Sequence, residues 1–280
     1  MRKLKKKFTL KDWVVELYKR TLAHDSTGMA AQLAYFFLLS VFPLLIFLFA
    51  LIPFFPLNES DVLNIIRDFA PKDTMDLIDN NVASFVNQHN GKILSFGLIG
   101  TLWSASIGMN GIIIAINRAY DVKEDRPFYK TRGLSIILTV ALIFVVFIAL
   151  LLIIFGRHLG IVLFAKIGLS DEFISIWETL RMIVSISILF IVFTCIYFFA
   201  PNKQIKCIDV FPGATVATLG WVVTSVAFSH YVSNFGKFSV TYGSIGGVIV
   251  LMIWLYLSGF MLIIGGEINA INVHRKDENC

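Results

Sequence analysis

The chain has 280 residues, of which 57% are hydrophobic and only 15% charged, and its mean hydropathy is +0.77. A soluble domain needs a mixed, charged surface, so this composition excludes one and points to a polytopic membrane protein. The net charge of +5 sits in particular connections, which speaks for lipid bilayer contact through an anionic inner-leaflet surface and not for nucleic acid.

The first 28 residues read as a cytoplasmic amphipathic segment. "MRKLKKKFTLKDWVVELYKR" is strongly basic, with no apolar run directly behind the charges and no small-residue cleavage site, so a removable signal peptide is not expected. Trp13, Val14, Leu17, Thr21 and Leu22 recur at helical spacing behind Thr9, a candidate N-cap. That pattern fits a helix lying on the inner leaflet, or a solvated lead-in to the first span.

Residues 29–270 form the membrane domain. A span takes about 20 mainly apolar residues, and six stretches meet that length: 30–52, 93–116, 134–155, 180–200, 210–231 and 245–264. Each must be helical, because lipid offers no partner to an open strand edge. The fold class is therefore all-α, six transmembrane helices with short amphipathic interfacial helices. Two of the latter are expected in the first outer connection, around Val62–Phe69 and Ile78–Val86. Residues 271–280 read as a cytoplasmic tail.

Lys and Arg set the orientation. The N-terminal segment, the connection holding Arg118, Lys123, Arg126, Lys130 and Arg132, the pair Lys203 and Lys206, and Arg275 and Lys276 all fall on one side. That side should be inside, so both termini are expected in the cytoplasm. Cys195, Cys207 and Cys280 have no paired or CxxC spacing and are expected as free thiols.

Polar groups within spans are costly and normally face protein or water. Gln32, Asn110, Asn117, Arg118, Glu267 and Asn269 gather toward the cytoplasmic ends of their spans, and together suggest a polar cavity open to that side. Glu267 is the outlier, a carboxylate just past an apolar run, and Arg118 or Arg132 is its expected partner. Gly100, Ser104 and Gly108, and again Gly243 and Gly247, form small-xxx-small stripes suited to close helix packing. Pro43 lies inside the first span, where a kink is expected, and Pro201 and Pro212 should mark span ends.

Three segments carry a resemblance: "AAQLAYFFLLSVFPLL", "LWSASIGMNGIIIAINRAYDVKEDRPFYKTRGLSIILT" and the long stretch from "PGATVATLGW" to "IIGGEINA". They resemble the YihY/BrkB family of bacterial inner-membrane proteins. The resemblance implies a six-helix inner-membrane protein with transport-type roles, and brings with it an older ribonuclease BN label.

The residues do not support that label. His24, His89, His158, His230 and His274 are scattered, and none completes a ligand motif. Neither a Walker loop, a GxSxG nor an HExxH is present. The chain is expected to be no enzyme and to need no cofactor or metal. Its expected role is secondary transport or export of a small solute or amphiphile. A lipid-handling protein and a structural or interaction component of the envelope are the alternatives.

Overall fold

The computed structural model describes residues 10–51, 91–165, 170–235 and 245–277. Among these, every regular element is helical: α1 (Leu10–Ala23), α2 (Ser26–Leu51), α3 (Gly91–Ala119), α4 (Phe128–Ala165), α5 (Ser170–Phe199), α6 (Cys207–Phe235) and α7 (Gly246–Asp277). The helices α2 to α7 each hold a stretch long and apolar enough to cross a membrane. The chain is thus an all-α multi-pass membrane protein. The two interfacial helices expected within 62–86, and Gly243, lie outside the described residues.

The chain forms two compact units, one of Met1–Tyr35 with Ser106–Cys280, the other of Phe36–Ala105. In the smaller unit, Pro43 lies within α2. Small residues of α3 face this turn. A Cβ added to Gly97 would come 2.9 Å from the Phe47 backbone, and one on Gly100 would stand 3.3 Å from Pro43 Cβ.

In the larger unit, α6 and α7 are the most closely associated pair. Contact is close because side chains are missing where the helices meet: a Cβ on Gly213 would run into Gly265 O, and one on Gly265 would meet Tyr197 Oη, Gly213 O and Ala217 Cβ. Without a hydrophobic drive between helices in lipid, this backbone approach is what lets dispersion and polar bonds act. Tyr197 on α5 adds to it, its hydroxyl donating to Leu262 O at 2.6 Å. Further along, two reciprocal pairs tie the same helices. Trp221 Nε1 donates to Ser258 Oγ at 3.0 Å and Trp254 Nε1 to Ser225 Oγ at 3.3 Å. The two indoles meet edge to face at 5.8 Å between ring centroids.

Pro212 does not end a span; it stands in the second turn of α6. Proline lacks the N–H a helix interior needs, and α7 supplies compensation nearby. Asn269 Oδ1 accepts from Gly213 N–H at 2.7 Å while Asn269 Nδ2 donates to Val210 O at 3.0 Å. One amide therefore brackets the proline turn. Pro201, by contrast, follows directly on the end of α5 at Phe199 and Ala200.

One expectation about packing changes. Gly247 is exposed and, among the described residues, a Cβ there would meet nothing within 4 Å. Gly108 is buried and Ser104 half-buried, but Gly213 and Gly265, one on each helix, are the residues that set the α6–α7 distance.

Candidate functional site: a charge cluster shared by three segments

Asp25 and Asp121 are the described non-glycine residues with positive φ, at 52° and 55°. Both mark helix ends. Asp121 closes α3: its N–H reaches Arg118 O at 3.1 Å, while Val122 N–H reaches Asn117 O at 3.0 Å. This paired closure wants a left-handed residue at position 121, which glycine usually fills and aspartate tolerates less well. A carboxylate kept there despite that cost directs attention to its side chain.

Asp25 separates α1 from α2 and caps the latter, accepting from Gly28 N–H at 3.3 Å. The tight turn brings the last residues of α1 against the end of α3 and the late turns of α7. There Arg20, His24, Asp121, Glu267 and His274 converge.

Arg20 is the hub. Its Nε donates to Glu267 Oε2 at 3.2 Å, and its Nη2 to both Asp121 Oδ2 at 2.8 Å and the Ala119 carbonyl at 2.7 Å. Nη1 lies 3.4 Å from His274 Nδ1, where guanidinium can only donate and imidazole must accept. His24 bridges the same two carboxylates: Nδ1 is 2.6 Å from Glu267 Oε1 and Nε2 3.2 Å from Asp121 Oδ1. Both ring nitrogens of His24 thus face carboxylate oxygens, and a ring nitrogen donates there only where it carries a proton. Arg20 and His24 together stand between Asp121 and Glu267.

The cluster is graded in exposure. The Glu267 side chain is 0% exposed and that of Asp121 56%, with Arg20 and His24 between them. Such a gradient leads from water to a carboxylate enclosed within an apolar helix. A buried carboxylate in a membrane protein is stable only when paired and hydrogen-bonded, and the two α1 side chains supply that.

Glu267 therefore has Arg20 and His24 as partners, not Arg118 or Arg132. Arg118 is exposed. Of the other residues expected around one vestibule, Asn269 and Asn117 are brought to separate places. Asn269 faces α6, as described. Gln32 is exposed and Asn110 half-buried. Asn117 is buried in a second polar node, where its Nδ2 donates to Glu124 Oε2 at 2.7 Å and its Oδ1 accepts from Asn202 N–H at 2.7 Å. Arg126 grips Glu124 in a two-pronged pair, Nε to Oε1 at 2.7 Å and Nη2 to Oε2 at 2.6 Å, and also reaches Ala200 O. That hydrogen-bonded guanidinium holds the Glu124 carboxyl below its ordinary range.

Burial, reinforced by the charge of Asp209, raises the Tyr120 phenol well above its usual value. Asp209 itself pairs with Lys276, joining the first turn of α6 to the last of α7. Among the described residues, no three His, Cys, Asp or Glu side chains are grouped so as to hold a metal ion. An open cleft of about 340 Å³ lies between α5 and α6, lined by Ile186, Phe190, Ile191 and Leu219 with Ser187, Thr215 and Thr218.

These features define a multi-pass α-helical membrane protein whose N-terminal helix is fastened by ion pairs to its last span. The chain belongs to the BrkB family: the family model described as "Virulence factor BrkB" matches residues 17–279. Among curated relatives, YfkH of Bacillus subtilis, described there as ribonuclease-like, is 49% identical over 267 residues, covering 94% of this chain and 97% of the relative. A UPF0761 membrane protein of Aliivibrio salmonicida is 29% identical over 274 residues, 94% and 85% of the two chains. Another from Haemophilus influenzae is 24% identical over 266 residues, 93% and 94%. No solved structure matches the chain.

Proposed function

We propose that the chain is a secondary transporter of the bacterial cytoplasmic membrane, with both termini inside, that moves a small solute or amphiphile. One observation carries this reading: the fully buried Glu267 within the candidate span Gly246–Lys276, reached from water through Asp121, His24 and Arg20. Intramembrane carboxylates are expensive and typically serve proton or ion pathways. Displacing Arg20 and His24 would leave Glu267 as a buried anion, which takes up a proton or a cation in their place. An exchange of that kind is the elementary step of gradient-driven transport. The side assignment rests on the Lys and Arg distribution, and a fluorescent-protein fusion at the C-terminus should light up if that end is inside.

The test is a vesicle assay with an imposed proton gradient and a panel of fluorescent organic cations, anions and amphiphiles. Wild-type protein is expected to move at least one probe, and Glu267→Gln to abolish that movement while still purifying as a folded protein. Unchanged movement in Glu267→Gln would overturn the role of the carboxylate. If wild type moves nothing in the panel, the envelope structural or interaction role becomes the better reading.

A second reading, lipid handling, is favoured by the α5–α6 cleft. It lies within two candidate spans, and Ser187, Thr215 and Thr218 donate to carbonyls of their own helices, leaving an apolar surface suited to an acyl chain. Filling it with Ile191→Trp should slow movement of a fluorescent phospholipid and leave a water-soluble probe unaffected.

The reading also makes this chain a non-enzyme. The description of the Bacillus subtilis relative concerns that protein; here Asp121 and Glu267 are occupied by Arg20 and His24, which leaves neither free to act as a base. Purified protein is expected to leave RNA intact with or without added divalent metal.

A further inference from the structure

The helix α1 has two unlike faces. One turns into the protein: Trp13 and Leu17 are half-buried, and Arg20 and His24 carry on the same face at spacings of three and four into the charge cluster. The other bears an apolar stripe in the open. Val14 is 60% exposed, Tyr18 65% and Leu22 61%, each four residues from the last, with Val15 beside them. Lys11, one turn before Val14 in line with the stripe, and Lys19, next to Tyr18, are exposed, while Asp12 and Glu16 are half-buried.

An apolar stripe edged with lysines and centred on a tyrosine is the composition of a helix lying in a lipid interface. Position argues the same way. Only His24 and Asp25 separate α1 from α2, whose first turn opens a candidate membrane span at Ser26, so the stripe is held beside the surface that α2 enters. The sequence before α1 adds Arg2, Lys3, Lys5, Lys6 and Lys7, which suits an anionic leaflet.

We propose that Val14, Val15, Tyr18 and Leu22 embed in the anionic leaflet of the bilayer, with Lys11 and Lys19 on its phosphate groups. This inference does not depend on the transport reading. Its consequence is that α1 is held between lipid on one face and Glu267 on the other, so the headgroup charge of the membrane bears on how firmly Arg20 and His24 are seated.

The experiment uses the full chain with Cys195, Cys207 and Cys280 replaced by Ser, in nanodiscs of phosphatidylcholine with or without phosphatidylglycerol. Single spin labels are placed at Val14, Tyr18 and Glu16, and their collisions with oxygen and with a water-soluble nickel chelate are compared. Val14 and Tyr18 should favour oxygen severalfold over Glu16, and the preference should strengthen with phosphatidylglycerol. Lys11→Glu combined with Lys19→Glu should remove that strengthening. Equal, water-like access of nickel at all three sites would overturn the proposal. So would shielding of Val14 and Tyr18 from both reagents, since that identifies a protein partner or second copy. None of the labelled positions takes part in the Arg20, His24, Asp121 and Glu267 ion pairs.

Discussion

Two residues of α7, Glu267 and Asn269, are separated by one position and fully buried, yet they do opposite kinds of work. Asn269 faces α6 and uses a neutral amide to bracket a proline turn, in a seam closed by Gly213 and Gly265. Glu267 faces α1 and is paired with Arg20 and His24, both of which also reach a half-exposed aspartate at the water's edge. A neutral amide bonded to backbone responds little to salt. An ion pair that extends to solvent responds more. On the proposed function, the α6–α7 seam is the permanent joint of the larger unit and the α1 contact its releasable one.

The largest effect should come from forcing the permanent joint apart. Gly213→Val places side-chain atoms where Gly265 O and Asn269 already are, and is expected to cost about 3 kcal/mol or more by overpacking, seen as loss of monodisperse protein in detergent. Asn269→Leu should follow, at roughly 2 kcal/mol, because Gly213 N–H and Val210 O lose their partner in a dry site. Glu267→Gln should cost a similar roughly 2 kcal/mol, since Arg20 and His24 keep Asp121 but lose the buried negative charge and one of its two acceptor oxygens. These last two are told apart by salt. Raising ionic strength should lower the melting temperature of wild type by the same route that Glu267→Gln removes, and leave the Asn269→Leu deficit unchanged.

Acid gives a smaller, separable effect at the Asn117 node. Arg126 depresses the Glu124 carboxyl below its ordinary 4.5. The stabilisation is therefore complete above that pH and is lost as pH falls through the lowered folded value. A thermal-unfolding series across the acid range should show that loss in wild type and not in Glu124→Gln.

The spans were legible in the sequence because the apolar runs are long and almost uncharged, which leaves helix as the only outcome in lipid. Glu267 was legible as an anomaly for the same reason. Its partners were not, because Arg20 lies 247 residues away in a segment whose many basic residues all read alike as lipid contacts. Trp13, Leu17, Arg20 and His24 do share one helical face, and that spacing was the available signal. Arg118 looked closer only because span ends were matched by depth, whereas α7 continues as a buried helix well past Glu267, with Ile271 and Val273 packed in the interior. Small-residue stripes told only part of the packing, Gly100 standing close to Pro43 within the smaller unit. The decisive glycines, Gly213 and Gly265, stand singly on different helices, and no periodicity within one segment can reveal a meeting of two.

The edge-to-face indoles of Trp221 and Trp254 give the permanent joint an optical signature. They are two of only five tryptophans in the chain, and each is fixed by a serine on the opposite helix. Two aromatic chromophores held 5.8 Å apart in a chiral array couple their transitions, so near-ultraviolet circular dichroism should carry a band that follows the α6–α7 seam. With it, separation of these helices can be followed in unlabelled protein independently of the charge cluster.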